Sequence, residues 1–219
     1  MSFHLGFALH ILPALLLALR VTIAATFGGM FLALLLGLVW AILRRSRNPW
    51  VAVPIHWIVE FIRSTPLLIQ IYFLFYVLPG IGLKFSPWVT GVAALGINYS
   101  AYIAEVYRAG IEGVAKGQWE AAIALNLSRA QMWRKVILPQ ALPPILPVLG
   151  NYWVAMFKDT PLLSSITVLE VLERAKIIGS ETFRYLEPLT LVGLLFLVLS
   201  LSAAAVIRLA ERHFHLGKA

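Results

Sequence analysis

The chain has 219 residues, of which 60% are hydrophobic and 13% are charged, whereas a soluble domain carries about 25% charged residues. This composition and the mean hydropathy of +0.85 argue against a water-soluble fold and leave no room for a large soluble catalytic domain. The formal net charge of +8 comes from basic residues at the ends of apolar runs, so it indicates membrane topology rather than nucleic-acid binding. The absence of cysteine excludes disulfides, thiolate metal sites and cysteine nucleophiles.

Five apolar runs are long enough to be predicted as transmembrane helices, since crossing a bilayer takes about 20 residues of helix. They cover residues 21–43, 54–78, 88–107, 140–157 and 188–207. We expect residues 1–19 to be retained, because they lack the basic leader and cleavage site of a signal peptide. The fourth run contains Pro143, Pro144 and Pro147, which predict a broken helix. Residues 161–187 are open to three interpretations: an external loop, a partly buried helix or a re-entrant segment.

Lysine and arginine are distributed unevenly between the two sides of such a bundle. If five spans alternate, one side carries eleven of these residues, in the segments after the first, third and fifth spans, and the opposite side carries four. Because cytoplasmic segments are enriched in Lys and Arg, the N-terminus is predicted outside and the C-terminus in the cytoplasm. The sequence therefore predicts one all-α transmembrane domain over residues 1–219, with residues 109–138 as a cytoplasmic loop.

Two short helices are predicted within this loop. Residues 117–125 are rich in helix formers, and Asn126 follows at the position where a chain leaving a helix often turns left-handed. Ser128 precedes Gln131 by three residues, the spacing of a capping box that starts a second helix. That helix should run from residue 129 until Pro139 perturbs it. A compact elbow of this kind suits docking to a partner; the plainer alternative is a connector between two spans.

The residues Glu120, Ala121, Ala122, Asn126, Val136, Leu138 and Pro139 form a spaced pattern in this loop. The pattern resembles the EAA loop of the permease subunits of binding-protein-dependent ABC importers, with Asn in place of Gly and Val in place of Ile. Asn is the non-glycine residue that best tolerates positive φ, so the turn should survive. Residues 60–79, 99–122 and 149–166 are similar to segments of the polar amino-acid branch of these permeases, the histidine, glutamine and ectoine type.

This resemblance implies the MetI-like fold of type I ABC importers and a set of partners. The partners are a dimer of ATP-binding subunits, a second permease subunit that is the same chain or a relative, and an extracytoplasmic solute-binding protein. ATP and Mg²⁺ are expected on the ATPase, and this chain, in a bacterial inner membrane, is expected to carry no cofactor and no enzymatic activity. The residues assigned to ATPase coupling are Gly117, Gln118, Glu120, Ala121, Ala122, Asn126, Ser128, Leu138 and Pro139.

Several polar side chains fall inside the predicted spans, where a charged group costs at least about 2.5 kcal/mol unless it has a partner or a wet cavity. Asn98, Tyr102 and Glu105 share one face of the third span. The candidates for the substrate pathway are Asn98, Gln70, Tyr102, Asn151, Lys158 and Asp159. For each the alternative is structural: interhelical hydrogen bonds for the uncharged groups, and an interfacial ion pair for Lys158 and Asp159.

Two other classes of function are weighed against the importer permease. An ion-coupled secondary transporter or channel would need a carboxylate deep in a span, for which Glu105 is the main candidate. An intramembrane enzyme would need a nucleophile with a base, or metal ligands, and the five histidines show no metal-binding spacing. Gly110 to Gly117 is no phosphate loop, because Ala115 occupies a required Gly position.

Overall fold

The computed structural model describes residues 3–213, and describes no side chains for residues 210–213. Within this part of the chain the secondary structure is helical and contains no strand. The α-helices are α1 (Leu5–Arg44), α2 (Pro49–Ser64), α3 (Leu67–Tyr72), α4 (Pro87–Glu112), α5 (Lys116–Ala124), α6 (Arg129–Met132), α7 (Leu138–Asp159), α8 (Val171–Thr182) and α9 (Leu186–His213). Lys218, one of the predicted cytoplasmic basic residues, lies outside the described residues.

Helix α1 is much longer than the predicted first span. It begins at Leu5, contains 40 residues and ends at Arg44, so it is about 60 Å long, twice the thickness of a bilayer core. Pro13 lies inside the helix, and His10 and Arg20, which interrupt the apolar sequence, lie on its exposed side. The prediction that the helix starts near residue 21 was therefore wrong, because these polar residues occupy one face and do not end the helix.

The second predicted span is bent rather than straight. Helix α2 and the following helical segment Leu67–Ile81 meet at an angle of 106°. Pro66 disfavours helical geometry at the preceding residue, and Thr65 has extended dihedral angles, with φ −106° and ψ 136°. After α3 the chain continues through a π-helical turn (Phe73–Val77) and a 3₁₀ turn (Leu78–Ile81).

Helices α1 and α4 form the central pair of the bundle. A Cβ atom on Gly37 would lie 3.0 Å from the backbone oxygen of Ser100, and one on Gly96 would lie 2.5 Å from Leu32. Small residues at these positions let the two helix backbones approach closely, the usual way in which helices associate in a membrane. The main buried cluster surrounds this contact and includes Leu95, which is fully buried.

Helix α7 is continuous, contrary to the predicted break. Pro143, Pro144 and Pro147 all lie inside it; the φ angle that proline imposes, about −65°, is itself helical, while each ring removes an N–H donor and crowds the carbonyl four residues earlier. Helix α6 leads into α7 through a π-helical turn (Trp133–Ile137). Pro139, expected to perturb the second elbow helix, is the second residue of α7, and the regular helix α6 gives way to the wider π-helical turn before it.

The segment left open between the fourth and fifth spans is a buried connection followed by a packed helix. A 3₁₀ stretch, Thr160–Ile166, follows α7 and buries Leu163 and Ile166 completely. Helix α8 then packs with α1 and α9 through a cluster that contains Leu15, Val171 and Val192. Of the three interpretations, the partly buried helix is therefore the correct one for α8.

By length and apolar composition, two of the described helices could cross a membrane alone: Leu5–Arg44 and the part Leu186–Leu209 of α9. The bent pair Pro49–Ser64 and Leu67–Ile81 would make a third span if it crosses as one unit. Helices α4 and α7, with 26 and 22 residues, are also long enough to cross a membrane but are more polar than α1 and α9. The guanidinium of Arg45, which follows α1, lies 5.9 Å from the ring centre of Trp133. The basic end of α1 and the elbow, residues 113–137, therefore lie at the same end of the molecule.

Candidate functional site

A cavity of about 470 Å³ lies beside the bend between α2 and α3; we call it the bend cavity. Because the chain turns at Thr65 and Pro66, α2 and α3 do not fill the space against α4 and α7. The lining residues are Arg63, Ser64, Thr65, Pro66, Leu67, Asn98, Tyr99, Tyr102, Tyr152, Ala155 and Asp159. The cavity thus joins one cation, one carboxylate, an amide and several tyrosines in the middle of the bundle.

Helix α4 contributes the amide of Asn98 to the bend cavity, and helix α7 contributes the carboxylate of Asp159. Asn98 is only 6% exposed, yet its side chain makes no hydrogen bond to the rest of residues 3–213, so its amide remains available to a ligand. The hydroxyl of Tyr99 donates a hydrogen bond to Oδ2 of Asp159 at 2.6 Å. This bond fixes the orientation of the carboxylate and leaves the remaining acceptor positions of Asp159 free.

Three of the predicted pathway residues line this cavity, and three do not. Asn98, Tyr102 and Asp159 lie together, whereas Asn151 and Lys158 are exposed outside it. No ion pair joins Lys158 to Asp159 within the part of the chain that the structure describes, although the two are adjacent. Successive helical residues point about 100° apart, so Asp159 faces the cavity and Lys158 does not.

The side chain of Gln70 is held at the bend by its amide nitrogen, whereas its Oε1 is buried without a hydrogen-bond partner among the described residues. Its amide nitrogen donates to the carbonyl oxygen of Ile62 at 2.8 Å and to the hydroxyl oxygen of Thr65 at 2.7 Å. The side chain therefore satisfies acceptors that the bend removes from the regular helical pattern. Gln70 does not line the bend cavity, because the break at Pro66 leaves backbone acceptors that its amide nitrogen satisfies; its place in the substrate pathway stays a prediction.

Sequence reasoning missed three residues of the bend cavity. Tyr99, Tyr152 and Arg63 line the cavity but were not among the predicted pathway residues. Tyr152, Ala155 and Asp159 are spaced by three and four residues, the signature of one helical face, and this spacing was available in the sequence. Arg63 was missed because the bend that brings it inward is invisible to a hydropathy pattern.

A second cavity, of about 400 Å³, adjoins the first on the side of the elbow; we call it the inner cavity. Arg63, Tyr102 and Tyr152 line both cavities. The hydroxyl of Tyr102 donates to the carbonyl oxygen of Arg63 at 3.2 Å, and the rings of Tyr102 and Tyr152 lie 5.9 Å apart. These three side chains therefore form the constriction between the two cavities.

Glu105 lies in the inner cavity among arginines. It forms ion pairs with Arg44 and with Arg108, the latter at 2.8 Å, and Arg63 lies 3.9 Å away. The carboxylate is thus neutralised by fixed cations from α1, α2 and α4. A coupling-ion site would require a carboxylate that can exchange its partner, so this arrangement speaks against Glu105 as an ion ligand. Within residues 3–213 no cluster of His, Cys, Asp and Glu could hold a metal ion.

The elbow (residues 113–137) has the turn that the sequence predicts. Asn126 adopts φ +52°, and the N–H groups of Asn126 and Leu127 donate to the carbonyls of Ile123 and Ala122, the Schellman arrangement that ends a helix. Ser128 and Gln131 form both hydrogen bonds of the capping box. Both predicted helix boundaries are therefore confirmed.

One face of the elbow is anchored to the bundle. Ala122 and Ile137 are buried, and the rings of Trp119 and Trp133 meet edge to face at 5.5 Å. The amide of Gln140, in α7, donates to the side-chain oxygen of Gln118 at 3.2 Å. The elbow is consequently tied to the first turn of α7, where Leu138 and Pro139 lie.

The other face of the elbow is open. Glu120 and Ala121 are exposed, and Ile123 and Leu125 are 69% and 73% exposed. No ion pair joins Lys116 to Glu120 among the described residues. Large apolar side chains next to unpaired charges, on a segment that is otherwise polar, are typical of a surface that another protein covers.

Comparison with known proteins places the chain in a well-populated group. The profile of the family described as "Binding-protein-dependent transport system inner membrane component" matches residues 33–215. A probable amino-acid ABC transporter permease of Sinorhizobium fredii is 52% identical over 208 residues, which cover 95% of this chain and 90% of that protein. The glutamine transport system permease of Escherichia coli is 35% identical, with 90% and 89% covered.

Solved structures show the same arrangement of helices. A chain from a crystal structure of an amino acid ABC transporter with histidines superposes with a TM-score of 0.92 at 35% identity, covering 97% of this chain and 100% of that chain. A chain of an inward-facing methionine ABC transporter superposes with a TM-score of 0.64 at 18% identity, covering 95% and 98%. The second likeness concerns the fold alone.

Proposed function

The chain belongs to the family of inner membrane components of binding-protein-dependent transport systems, and from this premise we propose that it is the membrane-spanning subunit of an ATP-driven importer of polar amino acids. An external solute-binding protein delivers the substrate, and a second permease subunit, identical or related, completes the pathway. The chain resides in a bacterial inner membrane with five spans, its N-terminus outside and its C-terminus in the cytoplasm. ATP and Mg²⁺ bind to separate ATPase subunits.

The observation that carries this proposal is the open face of the elbow. Ile123 and Leu125 project from a turn whose opposite face is packed against α7. Burying two such side chains in a partner contributes roughly 1.5–3 kcal/mol each, which suits a permanent contact with an ATPase subunit. A simple connector needs neither a capped turn nor exposed apolar residues.

The bend cavity fits a zwitterion. Asp159 offers a carboxylate to an α-ammonium group, and the amide of Asn98 offers both a donor and an acceptor. Arg63, whose Nη1 pairs with Glu60 at 3.0 Å, offers the rest of its guanidinium to an α-carboxylate, and its Nε is buried without a hydrogen-bond partner within the described part of the chain. An amino acid would satisfy these groups together. Glutamine, the substrate in the name of the Escherichia coli relative, carries both of these α-substituents.

The two cavities outline a route through the subunit. Substrate in the bend cavity reaches the inner cavity only past Tyr102 and Tyr152. Tyr152 is part of α7, and the first turn of α7 is held by the elbow through Gln118 and Gln140. Closure of the ATPase dimer would thus move the elbow, tilt α7 and open or close the aromatic constriction.

The test is Glu120→Lys in the complex reconstituted with its ATPase and binding protein. We expect substrate uptake to fall at least about tenfold, because reversing a charge on the docking face creates repulsion worth more than 1.4 kcal/mol. The thermal stability of the isolated permease should not change, since Glu120 is exposed. Glu181→Lys, an exposed charge reversal on α8, is the matched control and should transport normally.

Two outcomes would reject the proposal. Wild-type uptake by Glu120→Lys would remove the elbow from coupling. Uptake that continues without ATP and follows an ion gradient would favour the ion-coupled transporter, although the arginines around Glu105 leave that mechanism without its candidate carboxylate.

A further inference from the structure

A third cavity, of about 310 Å³, lies between the ends of α1 and α4 and the first half of α2; we call it the basic cavity. The polar residues that line it are Arg44, Arg45, His56, Arg108 and Glu112. None of these belongs to the bend cavity, and only Arg108 is shared with the inner cavity. The transport route described above therefore leaves this cavity without a role.

The basic cavity has an excess of positive charge. Arg44 and Arg108 share Glu105, and Arg108 also pairs with Glu112 at 2.5 Å. Arg45 forms no ion pair with any residue that the structure describes; its contact is the Trp133 ring. Three guanidinium groups and the single carboxylate of Glu112 thus line the cavity, and Arg45, which has no carboxylate partner among the described residues, is exposed.

The donors of this cavity match an oxyanion. An arginine presents several N–H groups in a planar fork that matches the oxygens of a phosphate group, and such charge-assisted bonds are about twice as strong as neutral ones. Arg44 lies 2.9 Å from Nδ1 of His56; with the guanidinium as donor, Nδ1 accepts and the proton of the ring sits on Nε2. His56 then adds a further neutral donor to the lining.

The surroundings of the cavity are those of a lipid headgroup region. The apolar sequence of α1 ends immediately before Arg44. On α2, Trp50 is 87% exposed and Trp57 is 67% exposed, and tryptophan is enriched at the level where lipid headgroups meet water. Val53, which lines the cavity, is 53% exposed and leads onto this apolar face.

We propose that the basic cavity binds the phosphate group of an anionic phospholipid, with Arg45 as the principal contact and the acyl chains along the exposed face of α2. Basic pockets between helices on the cytoplasmic side are a recurrent form of lipid recognition. A soluble phosphate shares the headgroup chemistry but cannot use the apolar face. The lipid is therefore the occupant that accounts for both the charge of the cavity and the exposed tryptophans.

Native mass spectrometry of the purified transporter complex, with added phosphatidylglycerol or phosphatidylcholine, tests this site. We expect wild-type complex to retain phosphatidylglycerol in preference to phosphatidylcholine. Arg45→Ala should lower the retained phosphatidylglycerol about fivefold, the effect of one arginine near an anionic headgroup. Ala52→Phe, which fills the cavity without changing its charge, should lower retention as well.

The controls separate this site from bulk charge and from free phosphate. Arg47→Ala removes an exposed arginine that does not line the cavity, and it should leave lipid retention unchanged. Inorganic phosphate at millimolar concentration should not displace the lipid. The proposal is overturned if the wild type shows no preference for the anionic lipid, if Arg47→Ala acts as strongly as Arg45→Ala, or if inorganic phosphate competes fully.

Discussion

Neighbouring residues on one helix can have opposite roles, as Lys158 and Asp159 show. Asp159 is oriented by the Tyr99 hydroxyl and faces the bend cavity, while Lys158 is exposed. A hydropathy pattern treats the two as one charged dipeptide, since it contains no information on which way each side chain points. Single substitutions distinguish their roles.

Asp159→Asn is predicted to weaken substrate binding and not folding. The amide keeps an acceptor for Tyr99 but loses the charge that an α-ammonium group would meet. A hydrogen bond to a charged group contributes about 1.5–3 kcal/mol, so the KM for uptake into proteoliposomes should rise roughly 10- to 150-fold. Lys158→Ala, on the adjacent exposed residue, should change KM less than about twofold. Equal effects of both substitutions would contradict the assignment.

The buried carboxyl group of Glu170 should make the stability of the protein depend on pH. It is fully buried at the start of α8, outside the predicted spans, where its carboxylate accepts hydrogen bonds from the N–H groups of Leu172 and Glu173. Burial raises the pKa of Glu170 from 4.5 to about 7 in spite of these bonds. Because the folded state then holds the proton more tightly than the unfolded state, stability falls as pH rises through this window.

The measurement is the thermal midpoint of the purified complex between about pH 5 and about pH 8. The wild type should lose stability over this range by up to about 3 kcal/mol relative to Glu170→Gln, which cannot ionise. Parallel pH profiles for the two proteins would show that the pKa of Glu170 is the same in the folded and the unfolded protein.

At the scale of single elements, the elbow was predictable because its determinants are local. Asn126, Ser128 and Gln131 are within six residues of one another, and each acts on backbone groups of its own segment. The bend at Thr65 and the path of α7 were not predictable in the same way. A proline can end a helix or lie within one. Helix α2 ends before Pro66, where the amide of Gln70 satisfies backbone acceptors that the bend leaves free, and a hydropathy pattern does not show such a partner.

Substitution of Asn126 tests the left-handed turn. Asn126→Gly should leave the elbow intact, because glycine adopts φ +52° freely, whereas Asn126→Val should cost about 1–2 kcal/mol of local stability. The rate of tryptic cleavage after Arg129 reports local opening, and transport coupling reports function. Valine should raise the cleavage rate roughly 5- to 30-fold. Equal cleavage of the valine and glycine variants would show that the turn is not held in this conformation.

At the scale of the whole molecule, the proposed coupling depends on the junction between α4 and α7. This junction lies between the elbow and the aromatic constriction, so the proposed motion of the elbow would reach the constriction through it. Gly110 is a point of close approach: a Cβ atom there would lie 2.8 Å from the backbone oxygen of Ala141 and 2.5 Å from Ile145. The backbone oxygen cannot move without moving α7 itself.

Gly110→Ala is therefore predicted to act as a wedge between α4 and α7. Overpacking of this kind costs about 1–3 kcal/mol, so the thermal midpoint of the complex should fall. The ratio of substrate transported to ATP hydrolysed should fall too, because a displaced α7 no longer follows the elbow. Gly193→Ala, in α9, is the control: its Cβ would meet no atom within 4 Å, and alanine is the better helix former. If both variants keep wild-type stability and coupling, α4 and α7 are not in tight contact at Gly110, and the elbow must act on the constriction by another route.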